Sequence, residues 1–145
     1  MAGGETPRYL VETDFLFGLR EKDPLHQNVM KALVDHKEGR VRLTLSSASP
    51  LEVMVVALSQ GVQLEQLATA IHLMDVELSA NKVHRYLSPS LGDIRTSLRM
   101  RLENKELTLF DSLHAAAAKN NSLCMLSSDS IYDSLGVNRK DLATY

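Results

Sequence analysis

Acidic side chains stand in apolar surroundings, close to a predicted strand end or helix start, at four places in the sequence. They are Glu12 with Asp14, then Glu52, Asp111 and Asp129. A cluster of like charges is costly unless cations neutralise it, and Mg²⁺ and Mn²⁺ are hard cations that prefer oxygen ligands. One or two such ions would activate water and stabilise the charge that develops during in-line attack on a phosphodiester.

Each of these acids also has a purely structural explanation at the start of a helix. Ser49 and Glu52 fit a capping box, in which Glu52 would fold back onto the Ser49 amide. The stretch 108–111 fits a looser form of that signature, and Asp129 would cap a helix that begins at Ser130. Taken singly, capping is the favoured explanation for each acid. Capping does not explain why acids stand at all four places, so together they favour a shared metal site.

The elements that must position these acids are predicted to alternate along the chain. Strands are predicted at residues 9–11, 41–45, 83–87 and 122–126, with an edge strand from Val137. Helices are predicted at residues 15–19, 25–38, 51–59, 63–78, 91–102, 108–120 and 130–135. This alternation is typical of a parallel, doubly wound sheet with right-handed crossovers. Because parallel strands end at one edge of their sheet, the acids are expected to converge there.

Length and composition limit the class of protein. The 145 residues, 44% of them hydrophobic, suffice for one core, and we expect a disordered tail at residues 1–7 and a single domain at 8–145. No apolar run approaches the roughly 20 residues of a membrane helix, and no secretion signal is evident, so no membrane partner is expected. The single cysteine, Cys124, rules out an internal disulfide and fits a cytoplasmic location.

Charge and histidine spacing restrict the ligands further. The net charge of −2 means that bulk electrostatics alone would not hold nucleic acid, so any such contact is expected to be local and metal-assisted. The five histidines show no HxxxH or HxH spacing, which argues against zinc, and a partly buried structural role is expected for His114. Four arginines fit either a phosphate-binding rim or a solvated helix face, namely Arg85, Arg95, Arg99 and Arg101.

The segments ETDFLF, SPLEVM, FDSLHAAAA and LSSDSIYDSLGV, in this order and spacing, resemble the acidic motifs of the PIN domain, the nuclease fold of VapC-type toxins. The resemblance runs from Tyr9 to about Val137. It implies an α/β fold, a three-layer α/β/α sandwich around a central parallel sheet of four to five strands. It also implies an endoribonuclease with Mg²⁺ or Mn²⁺ on four acids, a homodimer, an RNA substrate and a cognate antitoxin, as in a VapBC-type pair.

The resemblance carries over residue by residue at most of the site. Glu52, Asp111 and Asp129 match the second, third and fourth acids of the family pattern. Thr13 and Ser127 match positions of small hydroxyl residues, which would orient carboxylates or a metal-bound water.

The first acidic position departs from the family pattern, which is Asp-Thr followed by Ser, Asn or Asp. Glu12 aligns with the aspartate and Asp14 with the polar residue two positions on. Glutamate is one methylene longer, which matters for Mg²⁺ because its coordination is near-octahedral. Family position favours Glu12 and acid type favours Asp14, so both are kept as catalytic and metal-binding candidates.

Two hypotheses of different classes follow. The first is a Mg²⁺- or Mn²⁺-dependent endoribonuclease that forms the toxin half of a toxin–antitoxin pair. The second is a catalytically weakened PIN-like module that binds RNA or serves as a scaffold, and Glu12 and the absence of a basic surface support it. A phosphatase with an aspartate nucleophile fits less well, because Glu12 would hold the nucleophile position and no partner lysine is evident.

Overall fold

A computed structural model describes residues 3–145, and at its centre is a five-stranded sheet in which all paired strands are parallel. The strands are β1 (Arg8–Val11), β2 (Arg42–Ser46), β3 (Tyr86–Leu87), β4 (Cys124–Ser127) and β5 (Arg139–Asp141). Their order across the sheet is β3-β2-β1-β4-β5. The central place of β1 explains why the apolar run after Arg8 is buried on both faces of the sheet.

Helices cover both faces of this sheet. The α-helices are α1 (Thr13–Phe17), α2 (His26–Lys37), α3 (Ala48–Ser59), α4 (Leu64–Ala80), α5 (Leu91–Glu103) and α6 (Leu109–Asn120). Two short 3₁₀ helices, Ser130–Ser134 and Leu142–Thr144, flank β5. Among the described residues, none of the helices combines the length and hydropathy that a membrane-spanning segment requires.

Two clusters of buried side chains lie on opposite faces of the sheet, and β1 contributes to both. Tyr9 and Val11 pack with apolar residues of α1 to α4, whereas Leu10 packs with residues of α5 and α6. Alternate residues of a strand point to opposite faces, so this division places helical layers on both sides of the sheet. The predicted three-layer α/β/α sandwich with a parallel sheet is confirmed.

Helix α3 begins earlier than predicted, and the proposed capping box of Ser49 and Glu52 is wrong. The N-cap is Ser47, which makes no side-chain capping bond, and Pro50 falls within the first turn, where a missing N–H is tolerated. Ser49 is fully buried and its hydroxyl has no hydrogen-bond partner. The carboxylate of Glu52 is therefore released from capping and available for other contacts.

Other boundaries differ by a few residues. Helix α1 begins at Thr13 rather than at residue 15, with Glu12 as its N-cap. Strand β3 is only two residues long, shorter than the predicted 83–87. At the N-terminus, the carbonyl of Pro7 accepts a hydrogen bond from the Arg42 amide at 2.8 Å. The first two residues of the predicted tail lie outside the described residues, and the division into tail and single domain stays a prediction.

Candidate active site

The acids singled out in the sequence lie together in one cleft of about 510 Å³. Its lining comprises Glu12, Thr13, Asp14, Phe17, Glu52, Asp111, Ser128, Asp129 and Ser130. The first acidic pair follows β1, the last acid follows β4, and the other two stand near the starts of α3 and α6. Because β1 and β4 are parallel neighbours, their carboxyl ends open at the same edge of the sheet.

Glu12 is the most enclosed of these acids, with 5% of its surface exposed. One carboxylate oxygen accepts a hydrogen bond from the Thr13 amide at 2.6 Å, and the other accepts from Oγ of Ser127 at 2.9 Å. Burial raises the pKa of Glu12 well above the usual glutamate value, and the nearby charge of Asp14 raises it further. Burial and Asp14 thus both oppose ionisation of Glu12, and a nearby cation would favour the charged form.

Asp14 has one oxygen held by donors and one without a partner. Its Oδ2 accepts from the amide and the hydroxyl of Ser128, both at 2.7 Å, and from Oγ of Ser127 at 3.2 Å. Its Oδ1 is buried and has no hydrogen-bond partner among residues 3–145. A buried carboxylate oxygen without a donor is costly unless a cation or a proton meets it, so this atom fits the role of a metal ligand. Of the two acids that the sequence left open, Asp14 carries the free oxygen.

Glu52 faces the cleft instead of capping its own helix. Its Oε1 accepts hydrogen bonds from Oγ1 of Thr13 and from Nε2 of His114, the latter at 3.2 Å. Burial raises the pKa of Glu52, but the two hydrogen bonds outweigh this effect and leave the pKa below its usual value. Glu52 is thus both charged at neutral pH and oriented by two side-chain donors.

Asp111 occupies the start of α6, where Thr108 serves as the N-cap. The Thr108 hydroxyl accepts a hydrogen bond from the Asp111 amide at 3.2 Å, as the capping signature predicts. The carboxylate of Asp111 accepts from the hydroxyl of Tyr132 at 3.4 Å. Burial raises the pKa of Asp111, and the charges of Asp129 and Glu52 raise it as well. The helix start therefore fixes the backbone while the side chain remains in the cleft.

Asp129 combines a capping role with its place in the cleft. Its Oδ1 accepts a hydrogen bond from the Ile131 amide at 2.9 Å, so the predicted N-cap function is present. The neighbouring acid Asp133 lies outside the cleft lining and pairs with Arg139 at 2.9 Å. The four arginines considered as a phosphate-binding rim are likewise not among the residues that line the cleft.

Three residues that contact the acids were missed or misjudged in the sequence. His114 is fully buried rather than partly buried, and it contacts Glu52. Tyr132 is also fully buried, and burial together with the surrounding acids raises the pKa of its phenol. Ser128 holds Asp14. The contacts of His114 with Glu52 and of Tyr132 with Asp111 span 62 and 21 positions, so no local spacing in the sequence indicates them.

The donor set suits a divalent cation. Atoms of Glu12, Glu52 and His114 that could ligate an ion lie within 4.8 Å of one another, and the orphan oxygen of Asp14 belongs to the same cleft. Among residues 3–145, no lysine or arginine lines this cleft to neutralise the acids. Several carboxylates around one space favour Mg²⁺ or Mn²⁺ over softer metals.

Solved structures with the same fold include toxin–antitoxin complexes. VapBC2 from Rickettsia felis, bound to a promoter DNA fragment, is 15% identical over 92% of this chain and 98% of that chain, with a TM-score of 0.69. DNA-bound VapBC from Salmonella typhimurium is 13% identical over 94% and 98%, with a TM-score of 0.69. FitAcB from Neisseria gonorrhoeae is 17% identical over 92% and 97%, with a TM-score of 0.66. A search of curated proteins found no match.

At such identities these structures establish the fold alone, and the sequence must decide the family. The PIN domain family model matches residues 9–138, nearly the span over which the acidic motifs show their resemblance. This match, which covers most of the sequence, shows that the chain belongs to the PIN domain family.

Proposed function

We propose that the chain is an endoribonuclease that cleaves RNA phosphodiester bonds with Mg²⁺ or Mn²⁺ bound in the acidic cleft. The observation that carries this proposal is that five acidic residues line one cleft, and that a buried oxygen of one of them, Asp14, has no hydrogen-bond partner among residues 3–145. PIN domains are generally nucleases, which supports hydrolysis of phosphodiesters. RNA is proposed as the substrate because the sequence motifs resemble those of VapC-type toxins.

Each side chain of the cleft has a role in this proposal. Asp14, Glu52 and Asp111 would hold the ion, and Glu12 and Asp129, which line the same cleft, would add negative charge. A bound divalent ion lowers the pKa of a water molecule and stabilises the charge that develops on the phosphate. The residues that donate hydrogen bonds to the acids are Thr13, Ser127, Ser128, His114 and Tyr132.

The alternative function is a PIN-like module that binds RNA or serves as a scaffold with weakened catalysis. The enclosure of Glu12, both of whose oxygens already accept hydrogen bonds, favours this alternative. Calorimetric titration with Mn²⁺ separates the two functions. Absence of metal uptake at millimolar concentration would favour the module.

We further propose a homodimer and a cognate antitoxin as partners, acting in the cytoplasm. For the dimer, α5 exposes an apolar stripe at helical spacing, formed by Leu91, Ile94, Leu98 and Leu102. For the antitoxin, an apolar groove of about 680 Å³ borders α3 and α4, and Met54, Leu64 and Ile71 are among its lining residues. The toxin–antitoxin composition of the similar solved structures supports this partner. Sedimentation equilibrium at the monomer mass of 16.1 kDa would contradict the dimer.

Replacement of Asp111 by Asn tests the nuclease. We expect Asp111→Asn to reduce metal-dependent RNA cleavage by roughly 100-fold or more, because a charged ligand of the ion becomes neutral. The fold should persist, since the capping bond at Thr108 uses the backbone amide. Cleavage of a labelled RNA is measured with Mn²⁺ and with EDTA. The matched control is Asp133→Asn, outside the cleft, which should cleave like wild type; equal rates in wild type and Asp111→Asn would exclude the mechanism.

Because Glu12 is buried, we predict that the stability of the metal-free protein depends on pH. Burial raises the pKa of Glu12 in the folded state, so its stabilising contribution is present below the ordinary glutamate value of 4.5 and is lost as pH rises through the folded-state pKa. We therefore expect the neutral Glu12→Gln to be more stable than wild type by about 1 kcal/mol at about pH 7.5, a Tm increase of about 3–6 °C.

The measurement is differential scanning calorimetry in EDTA at two pH values. At about pH 4 the difference between wild type and Glu12→Gln should largely vanish, because wild-type Glu12 is then protonated as well. A Glu12→Gln variant with a lower unfolding temperature than wild type at neutral pH would show that the charge of Glu12 is already compensated in the metal-free protein.

A pair of substitutions on α4 tests the antitoxin groove. The proposed partner is a small DNA-binding protein encoded beside this gene, and it should copurify with the wild-type chain after coexpression. Leu64→Glu should abolish copurification, because Leu64 is 71% exposed and lines the groove. Leu73→Glu is the control, since Leu73 is also exposed but lies outside the groove lining. Loss of the complex in both variants, or in neither, would argue against the groove.

A further inference from the structure

We propose that His114 is a positioning residue, which holds one oxygen of Glu52 from behind so that the other remains available to a cation in the cleft. The proposal rests on the proposed function, because it assumes that the acids bind a divalent ion. It goes beyond the carboxylates by assigning a role to a buried imidazole that the sequence did not identify as part of the site.

His114 connects the sheet to the acidic cleft through hydrogen bonds at both ring nitrogens. Its Nδ1 lies 2.7 Å from Oγ of Ser46, the last residue of β2, and its Nε2 lies 3.2 Å from Oε1 of Glu52. Ser46 is 1% exposed and His114 has no exposed surface. The position of Glu52 is therefore tied to the end of a buried strand through a fully enclosed side chain.

The acceptor chemistry determines the direction of these hydrogen bonds. An ionised carboxylate can only accept, so Nε2 of His114 must carry the hydrogen that it donates to Glu52. In the neutral imidazole, Nδ1 then accepts a hydrogen from the Ser46 hydroxyl. Glu52 thus sets the tautomer, and the hydrogen bond from Ser46 holds the imidazole ring so that Nε2 faces Glu52, in the way that outer partners of metal sites orient the groups in front of them.

The position of His114 behind the acids favours this role over direct ligation. Glu12 and Glu52 line the cleft and His114 does not. The distance from Nε2 to the nearer Glu12 oxygen is 3.9 Å, so the imidazole lies close to both acids without reaching the open space in front of them. Both donors to Glu52, Thr13 and His114, contact Oε1, and within residues 3–145 no hydrogen bond to Oε2 is present.

Two conservative substitutions separate the two ends of this imidazole. In glutamine the amide nitrogen is as many bonds from Cα as Nε2 of histidine, so His114→Gln retains a donor toward Glu52. In asparagine the side chain reaches only as far as Nδ1, so His114→Asn retains the contact with Ser46 and loses the donor. We expect His114→Asn to weaken Mn²⁺ binding by roughly 10- to 100-fold, and His114→Gln to remain within about 3-fold of wild type.

The readout is the Kd for Mn²⁺, measured from the electron paramagnetic resonance signal of the free ion, with thermal unfolding of each metal-free variant in parallel. Wild-type affinity in His114→Asn, or an equal loss in both variants, would overturn the positioning role. Pulsed electron paramagnetic resonance offers a second check. Detection of ¹⁴N from a coordinated imidazole in wild type would also overturn the positioning role, because His114 would then be a ligand. Absence of Mn²⁺ uptake by wild type would overturn the proposed function as well, whereas the other outcomes leave it standing.

A second variant keeps the test valid if His114→Asn does not fold. Ser46→Ala removes the hydroxyl that holds the imidazole ring at Nδ1, without changing α6 or the acids. It should weaken Mn²⁺ binding in the same direction, whereas Ser112→Ala should not. Ser112 is an equally buried serine on α6 whose hydroxyl contacts Ser97 and a backbone carbonyl instead. Equal affinities in Ser46→Ala and wild type would contradict the proposal.

Discussion

Repulsion between carboxylates in one cleft is the constraint on which the rest of this structure depends. Burial raises the pKa of Glu12 and of Asp111, and neighbouring acids raise both further. The donors that surround the acids are hydroxyls, amides and an imidazole, and no lysine or arginine in the described chain lines the cleft. Hydroxyls and amides orient charges and do not cancel them. The remaining negative charge is what a divalent cation would neutralise.

The parallel sheet brings these acidic residues together. β1 and β4 are neighbours at the centre of the sheet, so the acids that follow them emerge side by side. Helices α3 and α6 then supply Glu52 and Asp111, and His114 contacts Glu52 across 62 positions of sequence. The hydroxyl of Ser127 donates to Glu12 across 115 positions. Residues far apart in the chain thus hold one another in place at a single edge.

Local signals in the sequence predicted the helices, the strands and the acids. The hydrogen-bond partners of the acids depend on long-range contacts, which local signals do not reveal. The apolar run before Glu12 and the alternation of strands with helices were sufficient for the parallel sandwich, and the order of the acidic motifs was sufficient for the family. The capping box at Ser49 failed because its signature is local, whereas the partners of Glu52 come from α1 and α6. At Asp129 a capping bond and a place in the acidic cleft occur together, although the sequence treated capping and a site role as alternatives.

The central claim is that side chains from four places in the chain share one divalent ion. The most direct measurement is an anomalous difference map from crystals soaked in Mn²⁺. We expect a peak in the cleft within ligand distance of Asp14, Glu52 and Asp111. Crystals that take up no Mn²⁺ at millimolar concentration, or that bind it only outside this cleft, would contradict it.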